Sequence, residues 1–350
     1  RRGRERGEGG LVSTANEAAE EAATDGPVRV GVVGVGSMGR KHARVYRELA
    51  DTELVGVADM DSEAAERVAR KYETVAYDTD DLLGVADAVS IAVPTTAHAP
   101  VLQQCIDAGV HALVEKPFVD DLATGRELAA QAEEAGLTVQ VGHVERFNPA
   151  VRTLMRVLPT LDVLAVDARR LGPPTNRELD GTVVSDLMIH DIDVVNAAVD
   201  ARPGTLGATG AAGGNYATVQ CVYEDDTVAT FTASRVTRRK VRRLEITARE
   251  CQVVVDYLAQ TVEIHRSEVP EYVESHGTVR HRTESVIERP FVETGEPLKA
   301  ELGAFVEAIR EGTEPVVTVE DGLAAVEFAR QIEGLIGMED ELAARQEATR

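Results

Sequence analysis

The sequence is poor in several residue types, and each shortage argues against a class of protein. It has no tryptophan and three cysteines, Cys105, Cys221 and Cys251, which lie far apart and form no Cys-x-x-Cys or Cys/His pattern. A disulfide framework and a zinc site are therefore not expected, and no metal ligands are assigned. No stretch approaches the roughly 20 consecutive apolar residues of a membrane span. With no signal-peptide pattern either, we expect a cytoplasmic protein without a membrane partner.

Positive charge is also scarce, and lysine is the rarer of the two basic residue types. The chain has 60 acidic and 37 basic residues, a formal net charge of −23, and only five lysines. Such a charge opposes binding to nucleic acid or to an anionic membrane. An acidic, lysine-poor composition resembles that of proteins from salt-loving organisms, in which high salt screens the self-repulsion. We therefore expect a halophilic protein whose stability depends on salt.

The chain has 350 residues, of which 43% are hydrophobic, and this is enough for two domains. Residues 1–26 and 339–350 are polar and lack apolar periodicity, which predicts a disordered N-terminal tail and a polar C-terminal tail. Strands alternate with helices over residues 27–149, which predicts an α/β domain with a doubly wound parallel sheet. Residues 150–338 combine helices with strands of period-two alternation, which predicts an α+β domain whose antiparallel sheet is open on one face.

The first strand of this chain leads into a glycine-rich turn. Val28–Val33 is an apolar run typical of a buried strand, and Gly34-x-Gly36-x-x-Gly39 and a helix from about Met38 follow it. The first glycine can turn the chain, the second lets a pyrophosphate approach the backbone, and the third lets the helix pack on the strand. The order strand, glycines, helix predicts a Rossmann-type dinucleotide site. The residues predicted to hold the pyrophosphate are Gly34, Gly36, Ser37, Met38 and Gly39.

An acidic residue follows the second predicted strand. Asp59 comes directly after Thr52–Ala58 and 25 positions after Gly34. A carboxylate there accepts hydrogen bonds from a ribose 2′-hydroxyl and repels a 2′-phosphate. Because Met60 rather than an arginine comes next, the sequence favours NAD over NADP.

The ends of the fourth and fifth strands are the next place to look for ligand contacts, because ligands of open α/β sheets bind beyond the carboxyl ends of the strands. Lys116 stands out there, since this chain hardly uses lysine. Its ammonium group can hydrogen-bond a substrate hydroxyl and stabilise the alkoxide that forms as hydride leaves. The alternative is an ordinary exposed lysine. The residues of these strand ends predicted to contact the cofactor are Val93, Pro94, Thr95, His98, Glu115 and Lys116.

A second cluster lies on a predicted helix from about Val184 to Val199. Asp186 and His190 are four residues apart and therefore share one helix face. The carboxylate could orient the imidazole, and the imidazole could accept a hydroxyl proton near neutral pH. The alternative is a surface acid–histidine pair on an amphipathic helix.

Two further polar stretches have two interpretations each. The stretch Gly142–Pro149 offers His143, Arg146 and Asn148 to a polyhydroxylated ligand, or it is an interdomain linker whose arginine pairs with an acid. The single basic run either meets a phosphate-bearing substrate or forms a solvated or subunit-interface strand. This run comprises Arg235, Arg238, Arg239, Lys240, Arg242 and Arg243.

Together these motifs resemble the Gfo/Idh/MocA oxidoreductase family, the group of glucose–fructose oxidoreductase and inositol dehydrogenase. The resemblance covers Val28 to about Gly337 and rests on the glycine motif, on Glu115-Lys116-Pro117 and on Gly181-x4-Asp186-x3-His190. It implies that Lys116 and His190 contact the reacting hydroxyl, with one of them as acid/base, and that the Lys116–Pro117 bond is cis. It also implies a large, open, mostly antiparallel second sheet whose outer face makes a homodimer or homotetramer.

Within this family, residues 141–152 look most like archaeal and bacterial dehydrogenases that oxidise the 3-hydroxyl of UDP-N-acetylglucosamine, although many relatives have tyrosine where this chain has His143. The resemblance thus predicts an NAD-dependent dehydrogenase of a secondary hydroxyl on a sugar or nucleotide sugar. His190 would accept the proton, Asp186 would orient His190 or the substrate, and Lys116 would steady the alkoxide. The alternatives are an inositol or free-sugar dehydrogenase, an oxidoreductase that recycles a cofactor it never releases, and a non-catalytic NAD-binding regulator.

Overall fold

The computed structural model describes residues 26–174, 181–199, 201–267, 271–275, 278–282 and 285–337. Two sheets dominate this part of the chain, one of six strands and one of eight, beside a separate two-stranded ribbon. The tails predicted at residues 1–26 and 339–350 lie outside the described residues, except for Gly26. Among the described residues no helix is both long and apolar enough to cross a membrane.

The first sheet is parallel throughout. Its strands are β1 (Val28–Val33), β2 (Thr52–Ala58), β3 (Val75–Tyr77), β4 (Ala88–Ile91), β5 (His111–Glu115) and β6 (Val139–Gly142). The connecting helices are α1 (Gly39–Glu48), α2 (Ser62–Tyr72), α3 (Thr79–Leu83), α4 (His98–Ala108) and α5 (Leu122–Glu134). The spatial order β3-β2-β1-β4-β5-β6 is that of a doubly wound dinucleotide-binding sheet, which confirms the predicted fold of this half.

This strand order decides where a ligand can bind. The chain direction around the sheet reverses between β1 and β4, and such a reversal leaves a crevice at the carboxyl ends of the strands. The central strand β1 is buried on both faces except at Arg29, as expected for a valine-rich strand between two helix layers. The glycine turn after β1 and the Glu115-Lys116-Pro117 segment at the end of β5 therefore open into the same crevice.

The second half of the chain builds the larger sheet. Its strands, in chain order, are β7 (Val163–Leu171), β8 (Pro203–Ala211), β9 (Tyr216–Tyr223), β10 (Val228–Ser234), β11 (Val241–Ala248), β12 (Gln252–Asp256), β13 (Thr261–Ser267) and β16 (Ser285–Glu288). The ribbon is formed by β14 (Glu271–Ser275) and β15 (Thr278–Arg282). The sheet order is β16-β13-β12-β11-β7-β10-β9-β8, and every neighbouring pair is antiparallel except β7 with β10. The predicted large, mostly antiparallel sheet is thereby confirmed.

Among the described residues, helices cover one face of this sheet, which is called the inner face here. The helices of the second half are α6 (Pro149–Val157), α7 (Ile189–Ala198), α8 (Pro297–Glu311) and α9 (Val319–Ile336), and a single π-helical turn, Val184–Met188, leads into α7. Along β10, Ala229, Phe231 and Ala233 are buried, while the residues between them are partly exposed. Phe231 packs edge-on against Phe328 of α9, with ring centroids 5.9 Å apart. The period-two pattern thus reflects one covered and one open face.

Helix α8 packs on the first sheet, although its position in the sequence assigns it to the second domain. The sequence places it in the second domain, but Leu298, Leu302 and Phe305 share a core with β1 and α1 of the first. The chain then continues beside β6, where the amide of Val141 donates to the carbonyl of Val317 over 3.2 Å. An apolar stripe of helical period shows that a helix covers a sheet, but it does not show which sheet.

Candidate active site

The glycine loop has the shape that a dinucleotide pyrophosphate requires. Gly34 has φ of +90°, and a Cβ atom there would lie 2.6 Å from the carbonyl oxygen of Ala92. A Cβ atom on Gly39 would lie 1.7 Å from the carbonyl oxygen of Gly34, so only glycine lets α1 pack this closely. A Cβ atom on Gly36 would meet nothing within 4 Å, because this position faces the open crevice. The loop thus leaves backbone exposed where a phosphate can approach it.

Asp59 connects the end of β2 to the glycine loop. One carboxylate oxygen, Oδ2, accepts a hydrogen bond from the amide of Val35 over 2.7 Å, and Oδ1 accepts one from the amide of Asp61 over 2.9 Å. The side chain is only partly exposed, whereas Met60 beside it is fully exposed. Asp59 is thus fixed beside the loop that would hold the pyrophosphate, at the position where a ribose hydroxyl would be bound.

We expect Asp59→Ser to weaken the preference for NAD over NADP. The variant removes a charged hydrogen-bond acceptor worth about 1.5–3 kcal/mol, so kcat/KM for NAD should fall by about 10–100-fold. The value for NADP should rise, because its 2′-phosphate is no longer repelled. Steady-state kinetics with both cofactors measure this. Asp61→Ser is the control, because serine can still cap the amide of Ala64 in α2 and the change removes only an exposed ion pair with Arg67 over 3.7 Å. An unchanged NADP/NAD ratio in Asp59→Ser would contradict the assignment.

Lys116 connects the carboxyl end of β5 to the second domain. The Lys116–Pro117 peptide bond is cis, in agreement with the family resemblance. The lysine Nζ donates to the backbone carbonyl of Asp186 over 2.9 Å and lies 3.2 Å from its Oδ1 atom. The other oxygen of Asp186, Oδ2, accepts a hydrogen bond from Arg235 over 2.8 Å. Burial acts to raise the pKa of Asp186, but the charges of Lys116 and Arg235 outweigh it and hold the carboxyl ionised.

His190 lies in the first turn of α7, close enough for the charge of Lys116 to act on it. Burial first, and then Lys116 and Arg170, hold the pKa of His190 well below its usual value. The ring is therefore neutral at pH 7 and able to accept a proton. Within the described part of the chain, its Nδ1 atom is buried without a hydrogen-bond partner.

The predicted orientation of His190 by Asp186 does not occur in this structure. Both carboxylate oxygens of Asp186 are used by Lys116 and Arg235 instead. The reason is local, because Asp186 lies in the π-helical turn before α7, and the wider repeat of that turn shifts residues four apart out of alignment. Asp186 thus positions the lysine rather than the imidazole.

A buried histidine–glutamate pair includes Glu115, the residue before Lys116. His42 Nε2 of α1 lies 2.9 Å from Oε1 of Glu115, and both side chains are almost fully enclosed. Burial acts to raise the pKa of Glu115, but its hydrogen bond to His42 and the nearby positive charges lower it overall. A contact between Glu115 and the cofactor remains a prediction, since one of its oxygens already has a protein partner.

His98 holds the ends of β4 and β5 together. Its Nδ1 atom lies 2.9 Å from the carbonyl oxygen of Pro117, and its Nε2 atom lies 3.0 Å from that of Val93. The ring is buried, so its observed contacts are structural, and a contact with the cofactor stays a prediction. Pro94 and Thr95 lie beside it, where a short 3₁₀ turn, Thr95–Ala97, precedes α4 at the crevice.

The stretch after β6 is occupied mostly by contacts within the protein. Arg146 Nε donates to Asp193 over 3.0 Å, and its Nη2 atom lies 3.0 Å from Asp321, as in the interdomain-linker interpretation. Asn148 donates to the carbonyl of Tyr257 and accepts from the amide at the start of α6. His143 is fully buried, and neither of its ring nitrogens has a partner among the described residues. Sugar contacts by these three residues remain predictions.

We expect His143 to make the protein less stable in acid. Burial, followed by the charges of Arg146 and Lys116, lowers the pKa of His143 to about 3. Between pH 6.5 and 3 the unfolded chain therefore binds a proton that the folded protein does not, so stability falls as pH falls. The loss from this ring is about 1.4 kcal/mol per pH unit below about pH 6.

Urea unfolding of His143→Asn between pH 7 and 4 measures this contribution. The variant should lose stability with falling pH less steeply than the unsubstituted protein does. His265→Asn is the control, because the His265 side chain is 37% exposed and does not occupy a buried site. Equal pH slopes for His143→Asn and the unsubstituted protein would show that His143 is protonated when folded.

Two arginines pair with acidic residues of the site, and the sequence did not predict this for either of them. Arg235 belonged to the basic run, and Arg170 was not singled out. Arg170 is 3% exposed and forms two 2.8 Å hydrogen bonds with Asp191 and a third of the same length with Glu145. A sequence signal did exist, since Arg170 continues the inward-facing alternation of Val166 and Ala168 along β7. A charged residue at an inward position requires a buried partner.

Comparison with known proteins identifies related oxidoreductases. Residues 28–143 match the model of an oxidoreductase family with an NAD-binding Rossmann fold. UDP-N-acetylglucosamine 3-dehydrogenase of Acidithiobacillus ferrooxidans is 37% identical over 246 residues, which are 68% of this chain and 77% of that protein. Inositol 2-dehydrogenase of Rhizobium meliloti is 25% identical over 86% of this chain and 94% of its own length.

Solved structures show the same architecture. The structure of the Acidithiobacillus ferrooxidans enzyme has a TM-score of 0.81 and 32% identity, and the match covers 88% of this chain and 97% of that one. Scyllo-inositol dehydrogenase of Lactobacillus casei, solved with NAD(H) and scyllo-inositol, has a TM-score of 0.74 at 20% identity, with 89% and 98% covered, which supports the fold. Given the site, the family model and these relatives, the chain belongs to the Gfo/Idh/MocA family of NAD-binding oxidoreductases.

Proposed function

We propose that this protein oxidises a secondary hydroxyl of a nucleotide sugar with NAD, by analogy with its Acidithiobacillus ferrooxidans relative, which is named UDP-N-acetylglucosamine 3-dehydrogenase. One observation carries the proposal. The ammonium group of Lys116 lies 3.2 Å from Asp186 Oδ1, at the same crevice as the glycine loop and within electrostatic reach of the neutral His190. A hydroxyl placed there has a cation to stabilise its oxygen and a base to accept its proton.

Each residue then has a separate task. Bound NAD supplies the hydride acceptor. Lys116 donates a hydrogen bond to the reacting oxygen and stabilises negative charge on it, while Asp186 fixes the lysine. His190 is the proton acceptor, because burial and nearby cations keep its ring neutral. The choice of NAD over NADP is assigned to Asp59, next to the loop.

A substrate panel tests the proposal. UDP-N-acetylglucosamine, UDP-glucose, free N-acetylglucosamine and myo-inositol are each supplied with NAD or NADP in molar salt, and NADH formation is followed by absorbance. We expect UDP-N-acetylglucosamine with NAD to give the highest kcat/KM, and His190→Ala to reduce it by about 10²–10⁴-fold. Strong turnover of myo-inositol with inert UDP-sugars would instead support the second candidate, an inositol dehydrogenase like the Rhizobium meliloti relative.

Two alternative functions predict different results in the same assay. A non-catalytic NAD-binding regulator would bind the cofactor without any turnover, whereas the presence of both Lys116 and His190 supports an enzyme. An oxidoreductase that recycles its cofactor would purify with NAD at full occupancy and would need no added NAD. Measuring the cofactor content of the purified protein separates this case from the proposed one.

We propose that the protein is halophilic, because its net charge of −23 opposes folding at low ionic strength. Raising KCl from about 0.1 M to molar concentrations screens charges beyond roughly 3 Å, so the melting temperature should rise by about 10 °C or more. Differential scanning fluorimetry measures this, with sucrose in place of KCl as the uncharged control. A melting temperature that does not change with KCl would contradict the proposal.

We also propose a homodimer or homotetramer formed through the outer face of the eight-stranded sheet. The proposal is supported by outward-facing apolar side chains on this face, including Val222 at 39% and Val228 at 42% exposure. Size-exclusion chromatography with light scattering in molar salt determines the oligomeric state.

A further inference from the structure

Three arginines lie at one end of the inner face of the large sheet, beside the candidate active site. Arg170 of β7 and Arg242 of β11 are directly opposite each other in the antiparallel register, and Arg235 follows the end of β10. Arg242 continues the inward alternation of Leu244 and Ile246, both of which are fully buried. Its side chain therefore lies on the covered side of the sheet, the side that α7 and His190 occupy.

Two of these three guanidinium groups are neutralised within the protein. Arg170 uses its Nε and Nη2 atoms, the planar edge of the guanidinium, to grip the carboxylate of Asp191. Arg235 donates to Asp186, the residue that also holds Lys116. Both of these arginines are almost fully buried, and each has a carboxylate partner.

Arg242 differs from them in having a free edge. Its Nη1 atom donates to the backbone carbonyls of Leu171 over 2.7 Å and Val241 over 2.9 Å, which fixes the group in place. Throughout the described ranges, its Nε and Nη2 atoms have no hydrogen-bond partner, and no carboxylate forms an ion pair with it. Its side chain is partly exposed, so that edge is accessible to a ligand.

The surroundings of Arg242 favour an anion. Burial first, and then the charge of Arg170, lower the pKa of Arg242 to about 10, although the carboxylates of Asp191, Glu145 and Asp186 act to raise it. The group remains a cation at neutral pH. The charge of Arg242 in turn contributes to lowering the pKa of His190, which places it within reach of the reacting group. The adjoining Arg238, Arg239 and Lys240 are exposed, and no described residue pairs with them. This concentration of positive charge is unusual in a chain with a net charge of −23.

We propose that the free edge of Arg242 binds a phosphate of the substrate, so that the site selects a nucleoside diphosphate sugar over a neutral polyol. This inference rests on the proposed function and specifies which residue recognises the charged part of its substrate. Two parallel N–H groups match two oxygens of a phosphate, just as those of Arg170 match the carboxylate of Asp191. With the phosphate at Arg242, the sugar extends toward Lys116 and His190. An inositol would leave this arginine without an anionic partner.

Isothermal titration calorimetry with UDP as the probe tests the inference without turnover. Measurements use the full chain at the lowest salt concentration that keeps it folded, because salt screens phosphate contacts. Arg242→Gln should weaken UDP binding by about 10–100-fold and leave the dissociation constant for NAD unchanged. Arg243→Gln is the matched control, since the neighbouring Arg243 points outward and pairs with Glu245 over 2.8 Å. It should bind UDP within about twofold of the unsubstituted protein.

A second variant keeps the test valid if Arg242→Gln fails to fold. Arg242→Lys retains the charge but loses the planar edge, so its affinity for UDP should lie between those of the unsubstituted protein and Arg242→Gln. The inference is overturned if the unsubstituted protein does not bind UDP, or if both Arg242 variants bind it as tightly as Arg243→Gln does.

The two proposals fail in different ways. If UDP binds through Arg242 but no nucleotide sugar is oxidised, the proposed function is wrong and the phosphate site stands. If a nucleotide sugar is oxidised with the same KM by Arg242→Gln and Arg243→Gln, the proposed function stands and the phosphate site is wrong.

Discussion

Lys116→Met should reduce kcat by about three orders of magnitude while the protein stays folded. Methionine has a similar length but no charge, so the oxygen that becomes an alkoxide loses its stabilising cation. The fold should tolerate the change, because the carboxylate of Asp186 keeps its 2.8 Å hydrogen bond to Arg235. The lysine side chain is only 17% exposed, so water replaces the ammonium group poorly.

Steady-state kinetics and a melting curve of the same preparation measure the effect of Lys116→Met. Lys299→Met is the matched control, because Lys299 is an exposed lysine on α8, and its kcat should remain within about twofold of the unsubstituted value. A kcat for Lys116→Met within tenfold of the unsubstituted protein would show that another group stabilises the reacting oxygen.

The largest effect on stability is expected at Arg170. Arg170→Met should cost about 3–5 kcal/mol of the free energy of unfolding, because it leaves a buried carboxylate without a partner. Asp191 is 2% exposed, and Glu145 loses its 2.8 Å bond at the same time. The guanidinium also lies 5.3 Å from the centre of the Tyr257 ring, a contact that is lost with it.

The neighbouring residue provides the control for this prediction. Arg169→Met changes the same residue type on the same strand, but Arg169 is half exposed and pairs with Asp167 over 2.6 Å at the surface. Such surface pairs contribute about 0–1 kcal/mol, so this variant should be nearly as stable as the unsubstituted protein. Urea unfolding in molar salt measures both variants. The double variant Arg170→Met/Asp191→Leu should recover part of the loss, because it removes the unpaired charge.

The site around the cofactor was largely predictable because its pattern is local. The valine-rich strand, the three glycines and the first turn of α1 are consecutive in the chain, and Asp59 and Lys116 follow directly after apolar strands. In a parallel sheet the carboxyl ends of the strands lie at one edge, so strand ends far apart in sequence meet in space. The sequence thus supported a shared crevice without any knowledge of distances.

The second domain was less predictable because its order depends on packing. Strand β8 gives no sequence signal, since its glycine, threonine and alanine residues show no clear apolar alternation, and it lies at the edge of the sheet. The polar segment His276–Glu288 is typical of a loop or an edge strand, and its described parts form the ribbon strand β15 and the edge strand β16. In edge strands, hydrogen bonds to a single neighbour replace much of the burial that makes other strands recognisable.

The doubly wound first domain, its glycine loop and the position of Lys116 at a strand end can all be predicted from neighbouring residues in the chain. Three features became visible only in the folded protein: α8 covers the first sheet, Asp186 holds Lys116 rather than His190, and Arg242 keeps a free edge while Arg170 and Arg235 do not. These outcomes depend on which charges meet after folding. Pairing of that kind is set by packing between distant segments, and no local pattern of residues encodes it.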